Sequence, residues 1–352
     1  MTEPAAAPSA APTERGWGKL LLGIAAFLFL PLIPQVRSLL PIEQTMLLFV
    51  PVVAACALVG WWAGGRAFLA IAWVGIAVVV AMQTDSTPAG FNNLTRGWSL
   101  LLAGAFGLVC LFGTGRPLFG RALLALAITL GLATIMSVLG PVKPSDASKT
   151  VAAEFNRRNA ETVSAITAFI STHPEQWRDL VAKVPQLSVV PTEVQSQLAQ
   201  ISEAGVSVFP ALLALESLAA LAIAWAIYHR LGRARLGAPL GKLREFRFND
   251  QLVWGLIVGL TVILLPTLAA LRDLGKNLLV FFGALYAVRG LGVLTWFLAP
   301  VAVGVTLLAG FVMLWWPEAA VLAFMLLGIT AIGLGLGDTW ADWRKRARSP
   351  IS

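Results

Sequence analysis

The sequence predicts an all-α, polytopic transmembrane helix bundle of about ten spans, five on either side of a small helical extracytoplasmic insert. Three observations carry this. The 352 residues are 58% hydrophobic and only 12% charged, where soluble domains run near 25% charged. The apolar residues gather into ten runs, most of them close to the roughly 20 residues that a bilayer core about 30 Å thick requires. No run alternates apolar and polar residues in short segments, as a transmembrane strand would. A mean hydropathy of +0.79 would leave a soluble chain with more apolar surface than it could bury.

The elements follow in order. Residues 1–17 are rich in Ala and Pro without apolar periodicity and read as a disordered cytoplasmic tail. Residues 18–140 form the first membrane half, with spans at 18–35, 41–61, 66–83, 98–114 and 119–140. Pro31, Pro34 and Arg37 follow the apolar stretch Leu20–Leu30, where a signal peptide would carry a small-residue cleavage site, so the first span is expected to be retained.

Residues 141–206 are nearly balanced in charge, which suits the outer face, and three helices are legible there. The first carries Val151, Phe155, Val163, Ile166 and Ile170 at helical spacing, with Asn159 filling one slot. The second starts after Thr172 with Pro174 in its first turn and shows Trp177, Leu180, Val181 and Val184. The third starts near Pro191 and shows Val194, Leu198 and Ile201. One mostly apolar face on each helix predicts a cap packed on the bundle, able to serve as a gate or a docking surface. Asn92 and Asn93 share that side.

Residues 207–337 form the second half, with spans at 207–230, 251–272, 277–297, 299–316 and 319–337. Asn249 and Asp250 suit a helix cap, and Pro266 should kink the seventh span. The stretch 277–316 must either turn at Ala299-Pro300 or hold one span and a re-entrant piece. Residues 338–352 form a basic cytoplasmic tail.

Sides follow from the positive residues. Arg230, Arg233, Arg235, Lys242, Arg244 and Arg247 form the strongest cluster, the tail adds Arg344, Lys345, Arg346 and Arg348, and Arg116 with Arg121 mark a short loop. Ten spans put all three on one side, with both termini in the cytoplasm. The net charge of +8 then meets anionic lipid headgroups, and nucleic acid is not an expected partner. Trp17, Trp61, Trp62, Trp98, Trp315, Trp316, Trp340 and Trp343 fall at predicted span ends, as interfacial tryptophans do. Trp73, Trp225, Trp254 and Trp296 lie further in and are expected to pack.

Little points to catalysis. Cys56 and Cys110 both lie in apolar runs, and His173 and His229 fall in different compartments. No paired-Cys or zinc-helix motif is present, so no metal or cofactor is expected. No Gly-rich phosphate loop and no His-Asp pair at depth supports an enzyme.

Two ionisable residues sit at depth, where such groups are usually paired or functional. Glu216 lies about nine residues in from the outer end of the sixth span, roughly 14 Å deep, and Arg289 about twelve residues into the eighth, roughly 18 Å. Opposite charge at similar depth predicts a buried Glu216–Arg289 pair, as a register-fixing contact or as a solute or proton site. Small residues mark close helix contacts: Gly333, Gly335 and Gly337, Ala103 with Gly107, and Ala220 with Ala224. The tenth span could use its glycines to meet a second membrane protein.

Two stretches of the C-terminal third carry a family resemblance. LYAVRGLGVLTWF is similar to a Leu-Tyr-Phe-x-Gln-Gly-Leu pattern, and LGLGDTWADWRKR to Leu-Gly-x-x-Asp followed by Arg-Lys-Arg. On these the chain resembles the YybS-like family of bacterial membrane proteins over roughly 207–346, with Tyr286, Gly290, Leu291, Gly335 or Gly337, Asp338, Arg344 and Arg346 fitting by position. Arg289 departs from it, standing where the family tends to have a neutral amide. The resemblance implies a bacterial cytoplasmic membrane location and no established activity. No ligand motif supports a further likeness to the substrate-binding subunits of vitamin and metal importers. A transport-type role, as carrier or substrate-binding membrane subunit for a small solute, is the favoured expectation, since five-plus-five is the layout of inverted-repeat transporters. The alternative is a non-catalytic assembly protein that docks through its outer cap and basic inner loop.

Overall fold

The computed structural model describes residues 16–37, 39–83, 88–113, 115–140, 144–183, 190–298, 304, 317–341 and 343. They form helices α1 (Trp17–Phe29), α2 (Pro34–Arg37), α3 (Thr45–Trp62), α4 (Ala67–Met82), α5 (Ala89–Phe112), α6 (Leu118–Leu139), α7 (Pro144–Thr172), α8 (Pro174–Lys183), α9 (Val190–Ser207), α10 (Phe209–Leu231), α11 (Val253–Leu264), α12 (Arg272–Phe297) and α13 (Pro317–Ala341). No strand occurs among the described residues. Helices α3, α5, α6 and α10 and the segment Pro266–Phe297 are long and apolar enough to cross a membrane. Trp17–Leu32, Ala67–Met82, Asp250–Leu264 and Met325–Ala341 are shorter apolar stretches. The expected span 299–316 apart from residue 304, the tail residues Arg344 and Arg346, and the N-terminal residues 1–15 lie outside the described residues.

Helix α3 is the hub, with α4, α5 and α10 packed on it, α6 on α5, α12 on α10 and α13 on α12. Leu48, Val52, Val53, Cys56, Leu102, Phe106, Leu221 and Trp225 form the buried centre, and the Phe106 and Trp225 rings meet edge-on at 6.0 Å. Small residues permit this closeness. Ala220 and Ala224 are fully buried, Gly107 abuts Ala55, and a Cβ on Gly60 would overlap the Tyr228 ring. Gly64, at φ +89°, turns the chain between α3 and α4, a backbone region open to glycine. Phe68, Ile71, Phe112, Leu130, Leu139, Leu264 and Leu322 point outward. That much exposed apolar surface suits lipid rather than water.

Several boundaries differ from expectation for physical reasons. The first span stops at Phe29, because Pro31 and Pro34 break it into a 3-10 turn and the short helix α2. Helix α5 begins at Ala89, nine residues before the expected start at 98, its first turns being polar (Asn92, Asn93, Arg96). Trp98 is therefore buried mid-helix and not interfacial, with its indole donating to Ser217 Oγ at 2.9 Å. Trp254, expected to pack, faces outward. Pro266 ends its helix instead of kinking it: Leu265 is extended, at ψ 116°, as a residue before proline prefers. A 3-10 turn (Pro266–Leu271) follows, and α12 starts at Arg272, five residues before the expected start.

Candidate functional site

The insert is strongly tied to the bundle. Val151 and Phe155 on α7 belong to the main core, and the Phe155 ring meets Phe209 edge-on at 6.1 Å. The polar interruption at Asn159 is a fastener: its side chain donates to Leu198 O (2.9 Å) and Ser202 Oγ (2.6 Å), joining α7 to α9.

On α7, Glu154, Arg157, Arg158 and Glu161 recur at three- and four-residue steps, so one helix face carries four charges. That face meets the segment after α2. Arg158 Nε lies 2.9 Å from Glu154 and 2.8 Å from Glu43, Nη1 donates to Leu40 O at 2.6 Å, and Nη2 to Pro41 O at 3.4 Å. Arg37 reaches Glu43 at 2.7 Å and Glu161 at 3.0 Å. Arg157 binds Glu154 at 2.6 Å and also Glu161. Three guanidiniums and three carboxylates thus close one network between cap and bundle. Glu154 and Arg158 are almost fully buried, at 1% and 2% exposure, whereas Arg37, Glu43 and Arg157 are each about a quarter exposed. Burial pushes the Glu154 carboxyl up, but its hydrogen bonds and charge contacts with Arg157 and Arg158 outweigh that and hold it below its ordinary value. The hydrogen bond that Arg37 donates to Glu43 is the largest influence holding its guanidinium charged.

Beside the network lies a polar cavity of about 250 Å³, lined by Arg37, Ile42, Glu43, Gln44, Leu47, Phe91, Asn92, Thr95, Arg157 and Arg158. Its inner wall borders Glu216. Ile42 lines the cavity and donates its N–H to Glu216 Oε2 at 3.0 Å. The other carboxyl oxygen, Oε1, is buried with no hydrogen-bond partner among the described residues.

Arg289 does not meet Glu216, and the expected pair is corrected. Its Nε donates to Asp338 Oδ2 (3.0 Å), Nη2 to Asp338 O (3.2 Å) and Nη1 to Asp250 Oδ1 (2.6 Å), and its guanidinium lies 5.3 Å from the centre of the Phe248 ring. The reason is register. Because α12 starts at Arg272, Arg289 is seventeen residues along it, whereas Glu216 is seven residues into α10. At 1.5 Å per residue the two differ by roughly 15 Å along their helices. Asp338, expected at the surface with Lys345 or Arg346 folding back, is buried with Arg289 instead. Asn249 does cap the turn, accepting from Gln251 N at 3.0 Å, but the Asp250 carboxylate serves Arg289, so capping alone does not explain the pair.

Among the family-like residues, Tyr286 is fully buried against Phe248, with the ring centres 5.0 Å apart. Gly290 and Gly335 allow α12 and α13 to cross backbone on backbone: a Cβ on either would collide with main-chain atoms of the other helix. Gly333 faces open space and Gly337 lies against Trp343, so helix contact rests on Gly335 and not on the Gly333–Gly337 pair. Leu291 is half-buried.

A second cluster is not signalled by the sequence pattern. Arg121, read as a loop cation, is fully buried, donates to Leu236 O at 2.6 Å and stacks over Trp225 at 5.3 Å. Trp225 Nε1 donates to Ala238 O and Tyr228 Oη to Ala234 O, while His229 contacts Gly237 O. These side chains strap the basic segment 232–238 onto the bundle.

The network on α7 was also missed. Its signal is Glu154 to Glu161 at helical spacing with two arginines between, on the same helix as the apolar positions.

Residues 24–330 match the family described as "Predicted membrane protein (DUF2232)", and the chain belongs to that family. Neither a curated protein nor a solved structure matches it.

Proposed function

We propose that this member of the family is a transport-type protein, a carrier or substrate-binding membrane subunit, that receives a small charged solute from the outer side. The observation that carries the reading is the polar cavity under the cap. It is small, near the low end of ligand pockets, and it offers Arg37, Arg157 and Glu43 as partly exposed charges with Asn92 and Thr95 as neutral hydrogen-bonding groups. Each of these ions already has a partner within the network, so an entering solute exchanges one ion pair for another and strands no buried charge.

The reading takes the protein as a ten-span, YybS-like protein of the bacterial cytoplasmic membrane, with both termini inside and 141–206 outside. The basic segment 229–247 and the tail with Arg344 and Arg346 would then rest on anionic headgroups. Deleting the gene and comparing uptake across an untargeted set of metabolites tests this. A defect confined to one class of charged solute, restored by the wild-type gene and not by Asn92→Trp, is expected. Unchanged uptake together with one dominant crosslinked membrane protein would overturn it.

A second reading, assembly with another membrane protein, draws on the cleft of about 860 Å³ between α7 and α9, whose walls include Ala152, Asn156, Ala160, Ser164, Ala199 and Ser202. Crosslinking from that cleft distinguishes the two.

A further inference from the structure

We propose that the Glu216 carboxyl carries an exchangeable proton that enters and leaves through the outer cavity past Ile42. Three observations meet at this group. Glu216 is on a helix apolar enough to cross a membrane and is 7% exposed. It has a single hydrogen-bond donor, Ile42 N–H, and its Oε1 has none among the described residues. That donor belongs to a residue lining the polar cavity, so one residue separates the carboxyl from the space under the cap.

The surroundings decide which cation fits. A hard metal ion such as calcium takes six to eight oxygens and magnesium six, and no cluster of three or more metal-binding side chains exists among the described residues. A proton needs only one free oxygen. An ionised carboxylate here would keep one oxygen buried without a donor, which is costly. On protonation, the new O–H bond forms at the carboxyl oxygen and removes the charge. On release, the electron pair stays on that oxygen and the proton passes to water in the cavity.

The neighbouring ions leave Glu216 isolated. Arg158 on α7 is the cation whose field reaches it, but its donors are committed to Glu43, Glu154 and the Leu40 and Pro41 carbonyls. Helix α3 carries no charged residue, and on α5 the one charge, Arg96, donates to Gln83 O. Arg121 on α6 is held at Leu236. On α12, Arg289 is held by Asp250 and Asp338, Lys276 pairs with Asp273, and Arg272 lies at the helix start. Lys19 on α1 is exposed, as is Glu203 on α9. Beside the carboxyl on α10 itself stands only the neutral Ser217, already engaged by Trp98.

Infrared difference spectroscopy on the full-length protein in lipid tests this directly. Stepping the pH from mildly acid to mildly alkaline should remove one protonated-carboxyl stretch. That band should shift in heavy water, shift on labelling with carbon-13 glutamate, disappear in Glu216→Gln and persist in Glu43→Gln. The label arm needs no variant, so poor folding of Glu216→Gln does not remove the test. Absence of a label-sensitive band, its persistence in Glu216→Gln, or its failure to shift in heavy water would each overturn the proposal. The readout needs no solute, so it stands or falls separately from the transport reading.

Discussion

With the cap facing outward, as proposed, the molecule has an outer ionic cluster on α7 and an inner one around Arg289, with the same chemistry, guanidinium against carboxylate, in different settings. The outer one has six members, four of them partly exposed, arranged beside a cavity. The inner one gathers Asp338 and Asp250 around a single arginine that is 3% exposed, with the Phe248 ring against its guanidinium. Partial exposure lets ions change partners at small cost, because water and neighbours compensate. Burial makes Asp338 indispensable to Arg289, while Asp250 stays in contact with water. Under the transport proposal the outer cluster is the one to respond to a solute, and the inner one joins α12 to α13 through Arg289 and Asp338.

The contrast can be broken by substitution. Asp338→Ala should cost about 3–5 kcal/mol, because Arg289 would be left buried beside an exposed partner. Asp250→Ala should cost less than about 1 kcal/mol, since the Asp250 side chain is 59% exposed. Thermal unfolding in detergent compares the two, and equal losses would show that the inner cluster is not sealed on one side by Asp338.

Packing gives the next largest effect. Gly335→Val should lose about 1–3 kcal/mol by overpacking, while Gly333→Val, facing open space, should leave the midpoint unchanged.

Acid should act on the outer cluster through Glu154. Its folded-state value lies below the ordinary 4.5. The stabilisation is therefore complete above that ordinary value and is lost as pH falls through the lower, folded one. Amide exchange on α7 should accelerate over that acid range in the wild type, and Glu154→Gln should exchange faster already at neutral pH.

Arg37→Ala should also cost little stability, under about 1 kcal/mol, because Arg37 and both its partners are partly exposed. Its effect on solute uptake should nonetheless be large. A variant that transports normally would separate the cluster from function.

Much of the membrane architecture was legible because lipid imposes a single rule, long apolar helices, that composition records. The start of α5 was not, since Asn92, Asn93 and Arg96 interrupt its apolar run while their backbone remains helical. The end of α11 was misjudged because Pro266 was given a kink when its effect on Leu265 was enough to stop the helix. The partner of Arg289 was hidden because depth counted from an assumed span start carries that start's error, here five residues. Asp338 had the right charge and lay on a helix that packs against α12, but sequence distance concealed it. The outer network joins residues 37–43 to 154–161, a contact that no local periodicity encodes.

Under the proposed function, the polar cavity beside Asn92 opens to the outside, whereas the interior near the inner cluster is closed. Cys56 and Cys110 are buried, so single introduced cysteines report cleanly. In intact cells, a membrane-impermeant thiol reagent added outside should label Asn92→Cys and should not label a cysteine at the fully buried Val293. An unreactive Asn92→Cys in folded protein, or labelling at position 293, would contradict it.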